Sequence, residues 1–130
     1  MDDLVQYRLD SAEEKLKSAK LLFDAGQYKD SIGRSYYAIF SAIRALLASK
    51  KEDYSKHSGV ISFFQREYIK TGILDVKYSK YLQTAFQIRN SCDYDDFFLI
   101  SRLDAEKQYE RAAELTSAIK AYLEKEASLK

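Results

Sequence analysis

The side chains with the greatest chemical capacity lie in the stretch QIRNSCDYDDFFLI, residues 87 to 100. Arg89, Asn90, Asp93 and Tyr94 all fall within it. A guanidinium presents a planar fork of donors that fits a phosphate group, and a neighbouring carboxylate can hold that fork in place. One interpretation is therefore an anion site in which Arg89 binds the anion and Asp93 supports it.

Less specific interpretations of the same residues remain open. Arg89 and Asp93 are four positions apart, and an exposed ion pair at that spacing on a helix contributes only ~0.3–0.5 kcal/mol. Arg89 could also bind loop carbonyls and fix the turn that follows. Asp95 and Asp96 add two carboxylates, but no further ligands stand at a defined spacing, so we predict no metal site.

The only histidine, His57, stands in the polar stretch SKHSGV. Histidine transfers protons near neutral pH, although a lone histidine is more often structural than catalytic. Whether His57 reaches Arg89 depends on the fold.

Composition excludes several other kinds of chemistry. The single cysteine, Cys92, excludes an internal disulfide and a cysteine-based zinc site, and it fits a reducing cytoplasm. The net charge of +1 supplies no bulk field for nucleic acid or an anionic membrane, so contact with RNA would depend on a local site. The N-terminal sequence is not that of a signal peptide, and no apolar run is long enough to span a membrane.

Helical periodicity dominates the elements that must position these residues. A first apolar stripe repeats at spacings of four and three residues and comprises Val5, Leu9, Ala12, Leu16, Ala19 and Phe23. Gly26 predicts the end of this helix. The segment from about Tyr28 to Lys50 has two adjacent apolar lines, which predicts a central helix buried over a wide arc.

Three further helices are predicted, beginning near His57, Asp75 and Ser101. In the fourth helix, residues at spacings of four and three lie beside its apolar line: Leu82, Phe86, Arg89 and Asp93. Arg89 and Asp93 should therefore lie at the border of the buried surface. The apolar run of residues 97–100 should either pack under the bundle or meet a second subunit. We predict an all-α, up-and-down bundle of four to five helices in one domain, residues 1–130, with a core of about 5–123.

Three stretches in this order resemble the HEPN superfamily, and most of all its small single-domain prokaryotic branch: SIGRSYYAIFSAIRALL (31–47), KHSGV (56–60) and RNSCDYDDF (89–97). The resemblance implies a helical bundle that is usually a symmetric homodimer. It also implies no cofactor. Many members of the superfamily are metal-independent ribonucleases, and many are toxins whose antitoxin is a minimal nucleotidyltransferase.

The ribonuclease signature of that superfamily is an arginine followed, after four to six residues, by a histidine. Arg89 matches the arginine, but the histidine positions hold Tyr94, Asp95 and Asp96. His57 is the only histidine that could substitute. In some family toxins the partner enzyme attaches a nucleotide to a tyrosine beside the signature, and Tyr94 lies in that neighbourhood.

Three functional hypotheses follow. The first is an interaction module that binds a nucleotidyltransferase partner and holds a nucleotide or RNA phosphate at Arg89, Asn90 and Tyr94. The second is a metal-independent ribonuclease toxin in which Arg89 acts with His57 or Asp93. The third is a non-catalytic helical scaffold in which the polar stretch only fixes the turn.

Overall fold

The computed structural model describes residues 1–129, which form five α-helices with no strand among them. The helices are α1 (Asp3–Asp24), α2 (Tyr28–Ser49), α3 (His57–Phe64), α4 (Lys77–Tyr94) and α5 (Arg102–Ser128). A short π-helix, Gln65–Ile69, continues α3. The prediction of an all-α bundle is confirmed.

Helix α2 is the centre of the bundle, and it packs against α1, α3, α4 and α5. Its two apolar lines are buried except at Tyr37, which is half-buried, and three small residues, Ala38, Ala42 and Ala45, are completely inaccessible. Small side chains allow neighbouring helices to approach on several sides at once. Because α2 contacts every other α-helix, its side chains can reach sites formed by α3 and by α4.

The predicted helix boundaries have local physical causes. Gly26 has φ of +78° directly after α1, a conformation that a residue with a Cβ rarely adopts. Ser101 caps α5, because its hydroxyl oxygen accepts a hydrogen bond of 3.0 Å from the backbone N–H of Asp104. Both residues were expected at these positions from the sequence.

Helix α4 leaves the core gradually along its length. Leu82 is fully buried, Phe86 and Arg89 are half-buried, and Asp93 is exposed. Arg89 therefore lies at the border of the buried surface, as its spacing predicts. Beyond α4, Ile100 packs on a small separate cluster, whereas the side chain of Phe97 points into solvent and is 98% exposed.

No helix within residues 1–129 is both long enough and apolar enough to cross a lipid bilayer.

Candidate functional site

The side chain of Arg89 lies where α4 crosses α2, and only 18% of it is exposed. Its Nη2 donates a hydrogen bond of 2.7 Å to the hydroxyl of Tyr37. Its Nε lies 3.0 Å from Oδ2 of Asp93, one turn further along α4. The guanidinium carbon is 5.5 Å from the ring centre of Tyr36 and 5.3 Å from that of Tyr37.

The contacts with α2 hold Arg89 more strongly than the ion pair does. Asp93 is 46% exposed, and an exposed helical pair of this kind contributes about 0.3–0.5 kcal/mol. A hydrogen bond to a charged group contributes about 1.5–3 kcal/mol. A cation over an aromatic ring adds about 0.5–1 kcal/mol even where water has access. Tyr36 and Tyr37 are therefore the main determinants of where the guanidinium lies.

Part of the guanidinium remains available. Arginine has five N–H groups; one donates to Tyr37, and the N–H of Nε faces Asp93. The other three, two on Nη1 and one on Nη2, have no acceptor among residues 1–129. The side chain is thus neither consumed by its own chain nor free in bulk water.

The rings of Tyr36, Tyr37 and Phe40 on α2 contact one another and form an aromatic cluster. His57, the first residue of α3, contacts this cluster through Tyr36 and Phe40. Its Nδ1 is 3.3 Å from the Tyr36 hydroxyl, and its ring centre is 4.2 Å from that of Phe40. Burial raises the pKa of Tyr36 to about 12, and this effect outweighs the opposing charge of Arg89. Tyr36 therefore keeps its proton near neutral pH and can donate it to Nδ1.

The structure brings Arg89 and His57 to one cluster but not into contact with each other. Tyr36 contacts both, and no hydrogen bond joins the two residues within the described chain. A cleft of about 340 Å³ is lined by His57, and Arg89 is not part of its wall. The cleft at His57 is therefore separate from the surface that Arg89 presents.

The remaining predicted site residues, Asn90 and Tyr94, share α4 with Arg89 but do not bond to it. Asn90 is half-buried beside it on α4, and Tyr94, the last residue of α4, is 75% exposed. Neither side chain makes a hydrogen bond within residues 1–129. In the same range, no three His, Cys, Asp or Glu residues lie close enough together to hold a metal ion.

The two tyrosines of α2 are the site residues that the sequence did not indicate. Both fall within the segment from about Tyr28 to Lys50, whose two apolar lines predict a buried helix, so the pattern indicates packing in the core. A usable signal was present: consecutive helical residues project about 100° apart, so an adjacent pair can contact two different neighbouring helices. Tyr37 contacts Arg89 of α4 in this way, while the hydroxyl of Tyr36 reaches His57 of α3.

Comparison with known proteins gives a match to the family model described as the HEPN domain, over residues 5–123. Among similar proteins, "Putative toxin MJ0142" of Methanocaldococcus jannaschii is 33% identical over 115 residues, covering 88% of this chain and 78% of the relative. "Putative toxin MJ0605" of the same organism is 36% identical over 90 residues, covering 69% and 67%. A "UPF0332 protein" of Thermotoga maritima is 31% identical over 123 residues, covering 95% and 93%.

The main contact of Arg89 can be tested by removing one hydroxyl. Tyr37→Phe should lower the free energy of unfolding by about 1.5 kcal/mol, because a partly buried N–H loses its acceptor while the aromatic ring remains. Urea denaturation measures this change. Tyr7→Phe is the matched control, since Tyr7 is 71% exposed, and it should change the value by less than about 0.5 kcal/mol. Equal effects of the two variants would contradict the assignment.

Proposed function

The chain belongs to the HEPN family, and from this we propose that it is an interaction module of a toxin–antitoxin-type system. In this proposal it binds a minimal nucleotidyltransferase and holds a phosphate of a nucleotide or RNA at Arg89. The supporting observation is the arrangement of Arg89, whose guanidinium is fixed by Tyr37 and Asp93 while three N–H groups remain without an acceptor among residues 1–129.

Fixing a guanidinium in this way favours anion binding for two physical reasons. The side chain has already lost much of its rotational freedom, so binding an anion costs less conformational entropy. It is also largely removed from water, where interactions between charges are strongly weakened. Because the net charge is only +1, affinity for RNA would come from this local site, with the amide of Asn90 and the hydroxyl of Tyr94 as further donors.

A toxin–antitoxin setting is supported by the names of the two Methanocaldococcus relatives and by the HEPN match. The partner in this setting would be a nucleotidyltransferase that modifies Tyr94. The hydroxyl oxygen of Tyr94 would attack the α-phosphorus of ATP, pyrophosphate would leave, and the hydroxyl proton would be released. Tyr94 is 75% exposed, so an enzyme could reach it.

Intact mass spectrometry tests the partner and the modified residue together. After incubation with a nucleotidyltransferase encoded beside the gene, and with ATP, the chain should gain the mass of one AMP group. Tyr94→Phe should gain nothing, whereas Tyr7→Phe, which removes another exposed hydroxyl, should be modified normally. If the wild-type chain gains no mass, this partner proposal is wrong.

The loop after α4 favours a homodimer. The side chain of Phe97 is 98% exposed and that of Leu99 is 89% exposed. Phe97 also has φ of +60°, a strained conformation that costs about 1–3 kcal/mol for a non-glycine residue. A second copy placed on this loop by a twofold axis would cover both side chains. It would also bring two Arg89 sites near the interface, because the loop directly follows α4.

Sedimentation velocity tests the homodimer. The wild-type chain should sediment as a dimer and Phe97→Asp as a monomer, because a buried carboxylate would lack a partner at the interface. Leu21→Asp is the matched control, since Leu21 is 70% exposed on α1, and it should remain dimeric. A monomeric wild type at high concentration would remove the dimer from the proposal.

The second candidate is a metal-independent ribonuclease toxin. RNA cleavage through the 2′-hydroxyl needs groups that accept and donate protons, and positive charge on the phosphate. Arg89 would supply the charge, and His57 or Asp93 the proton transfer. The common contact of Arg89 and His57 with Tyr36 favours this candidate. The cleft lined by His57 does not include Arg89, and this disfavours the candidate for a single chain.

A single comparison separates these candidates from a non-catalytic scaffold. Arg89→Ala should weaken binding of a fluorescein-labelled oligoribonucleotide about tenfold, as expected for the loss of one charged contact worth about 1.4 kcal/mol. Fluorescence anisotropy measures the affinity, and gel analysis of the same samples detects cleavage. Arg111→Ala is the control, because Arg111 lies over Tyr81, away from the site. Equal binding by both variants and the wild type would leave only the scaffold.

The organisation of residues 1–130 as one domain is also a proposal, and a single cooperative unfolding transition by circular dichroism and fluorescence together would support it. Two separate transitions would contradict it.

The cytoplasmic location remains a prediction from the single cysteine, and fractionation of cells expressing the chain would test it.

A further inference from the structure

A second concave site lies away from Arg89, between α2, the connection that follows α2, and the first turn of α3. We call it the Arg44–His57 cleft. Its volume is about 340 Å³, at the small end of the ~300–1,000 Å³ typical of ligand sites. The lining residues come from these three segments: Phe40, Arg44, Asp53, Tyr54, Ser55, Lys56, His57 and Val60.

Positive charge exceeds negative charge at this cleft. Arg44 and Lys56 line it, and Arg8 adjoins it through a hydrogen bond of 2.8 Å to the backbone carbonyl of Arg44. The carboxylate of Asp53 lies 3.3 Å from Nη2 of Arg44 and 3.6 Å from Nη2 of Arg8. Two guanidinium groups therefore contact one carboxylate, and Lys56 adds a third cation to the wall of the cleft. Asp53 positions the two guanidinium groups but cannot neutralise all the charge.

The first turn of α3 brings N–H groups without a partner to the cleft. At the start of α3, the N–H groups of Gly59 and Val60 bond to the carbonyl of Lys56, and the side chain of Lys56 does not cap the helix. The N–H groups of His57 and Ser58, which precede them, have no acceptor in the described chain. A helix N-terminus with free N–H groups favours an anion.

The walls of the cleft add apolar surface to this charge. Phe40, Val60 and the ring of Tyr54 contribute it. Glycine at residue 59 lets Tyr54 lie close against α3, since a Cβ there would be 3.0 Å from the Cβ of Tyr54, a tight contact. The cleft therefore offers an anion-binding part and an apolar part within one small volume.

From these features we propose that the Arg44–His57 cleft binds a phosphate monoester, with Arg44, Lys56 and the first N–H groups of α3 contacting the phosphate. A dianionic, tetrahedral group matches the excess of cations and the number of donors, and the apolar walls match the group that the phosphate is attached to. His57 adds a further donor, because its Nδ1 is engaged by Tyr36 and its Nε2 remains for the ligand. The ester could be a small metabolite or the phosphorylated end of an RNA strand.

The single histidine of the chain provides a site-specific measurement. The imidazole of His57 gives one set of signals in a ¹H–¹⁵N spectrum. Titration with phenyl phosphate should shift these signals saturably, and titration with phenol or with sodium chloride of equal ionic strength should not. Equal shifts with chloride, or no shift with phenyl phosphate, would overturn the proposal.

Variants test which residues bind the phosphate. Lys56→Gln should weaken phenyl phosphate binding about tenfold. The side chain of Lys56 makes no hydrogen bond or ion pair within residues 1–129, so this change leaves the fold intact. Lys107→Gln, an exposed lysine on α5, is the control and should bind normally. Gly59→Ala should also weaken binding, because it displaces Tyr54. Normal binding by Lys56→Gln and Gly59→Ala would overturn the assignment of the phosphate to this cleft.

Two further arms separate this site from the proposed function and identify the source of the ester. Arg89→Ala should bind phenyl phosphate normally even where it has lost affinity for RNA; loss of both would show that there is one site, not two, and would overturn the proposal.

A short oligoribonucleotide with a 5′-phosphate should shift the His57 signals more than its 5′-hydroxyl form if RNA ends are the natural ligand. Binding of phenyl phosphate with no response to either oligoribonucleotide would identify a small phosphorylated metabolite.

Discussion

The hydrogen bond from Arg89 to Tyr37, with the rings of Tyr36 and Tyr37 beneath the guanidinium, is the interaction on which the functional account depends. Without it, Arg89 would be a flexible side chain near the end of α4 with an exposed carboxylate as its only partner. With it, the guanidinium is held at the crossing of α2 and α4, partly removed from water, and most of its N–H groups are still unused. These are the conditions under which an arginine binds a phosphate group selectively.

The central position of α2 explains how one helix contacts both candidate sites. Its small residues let the other helices pack closely around it, and its adjacent tyrosines contact different neighbours. Tyr37 holds Arg89 of α4, and Tyr36 bonds to His57 of α3 while its ring also faces Arg89. Substitutions at Tyr36 should therefore affect both sites, whereas substitutions at Tyr37 should affect only the Arg89 site. The aromatic cluster is the physical link between them.

Much of the fold could be read from the sequence, because helical periodicity and capping are local properties. The spacing of apolar residues predicts the stripe from Val5 to Phe23 and the half-buried position of Arg89. Residue type predicts the end of α1 near Gly26 and the cap at Ser101. The contacts of Arg89 did not follow in the same way. Asp93 was visible at four residues' separation, but Tyr37 is 52 positions away along the chain, and only packing between helices brings it near.

The Arg44–His57 cleft was out of reach of sequence reasoning for a related cause. Its charged residues come from α1, α2 and the connection after α2, and only packing between these segments brings them together. The stretch KHSGV contributed to the family resemblance, and in the structure it forms the first turn of α3, where N–H groups lack acceptors and Gly59 leaves room for Tyr54. The sequence pointed to His57 for its proton chemistry, whereas the structure places it at the wall of the Arg44–His57 cleft.

The central claim is that Tyr37 and Asp93 hold the guanidinium of Arg89 in place while its remaining N–H groups can bind an anion. Arginine side-chain ¹H–¹⁵N spectroscopy tests this directly when a short oligoribonucleotide without terminal phosphates is added, with the signals of Arg89 assigned by their loss in Arg89→Lys. We predict that the Nη signals of Arg89 shift and sharpen as RNA binds, while the Nε–H signal, which faces Asp93, stays nearly unchanged. Nη signals that do not respond to saturating RNA would contradict the account.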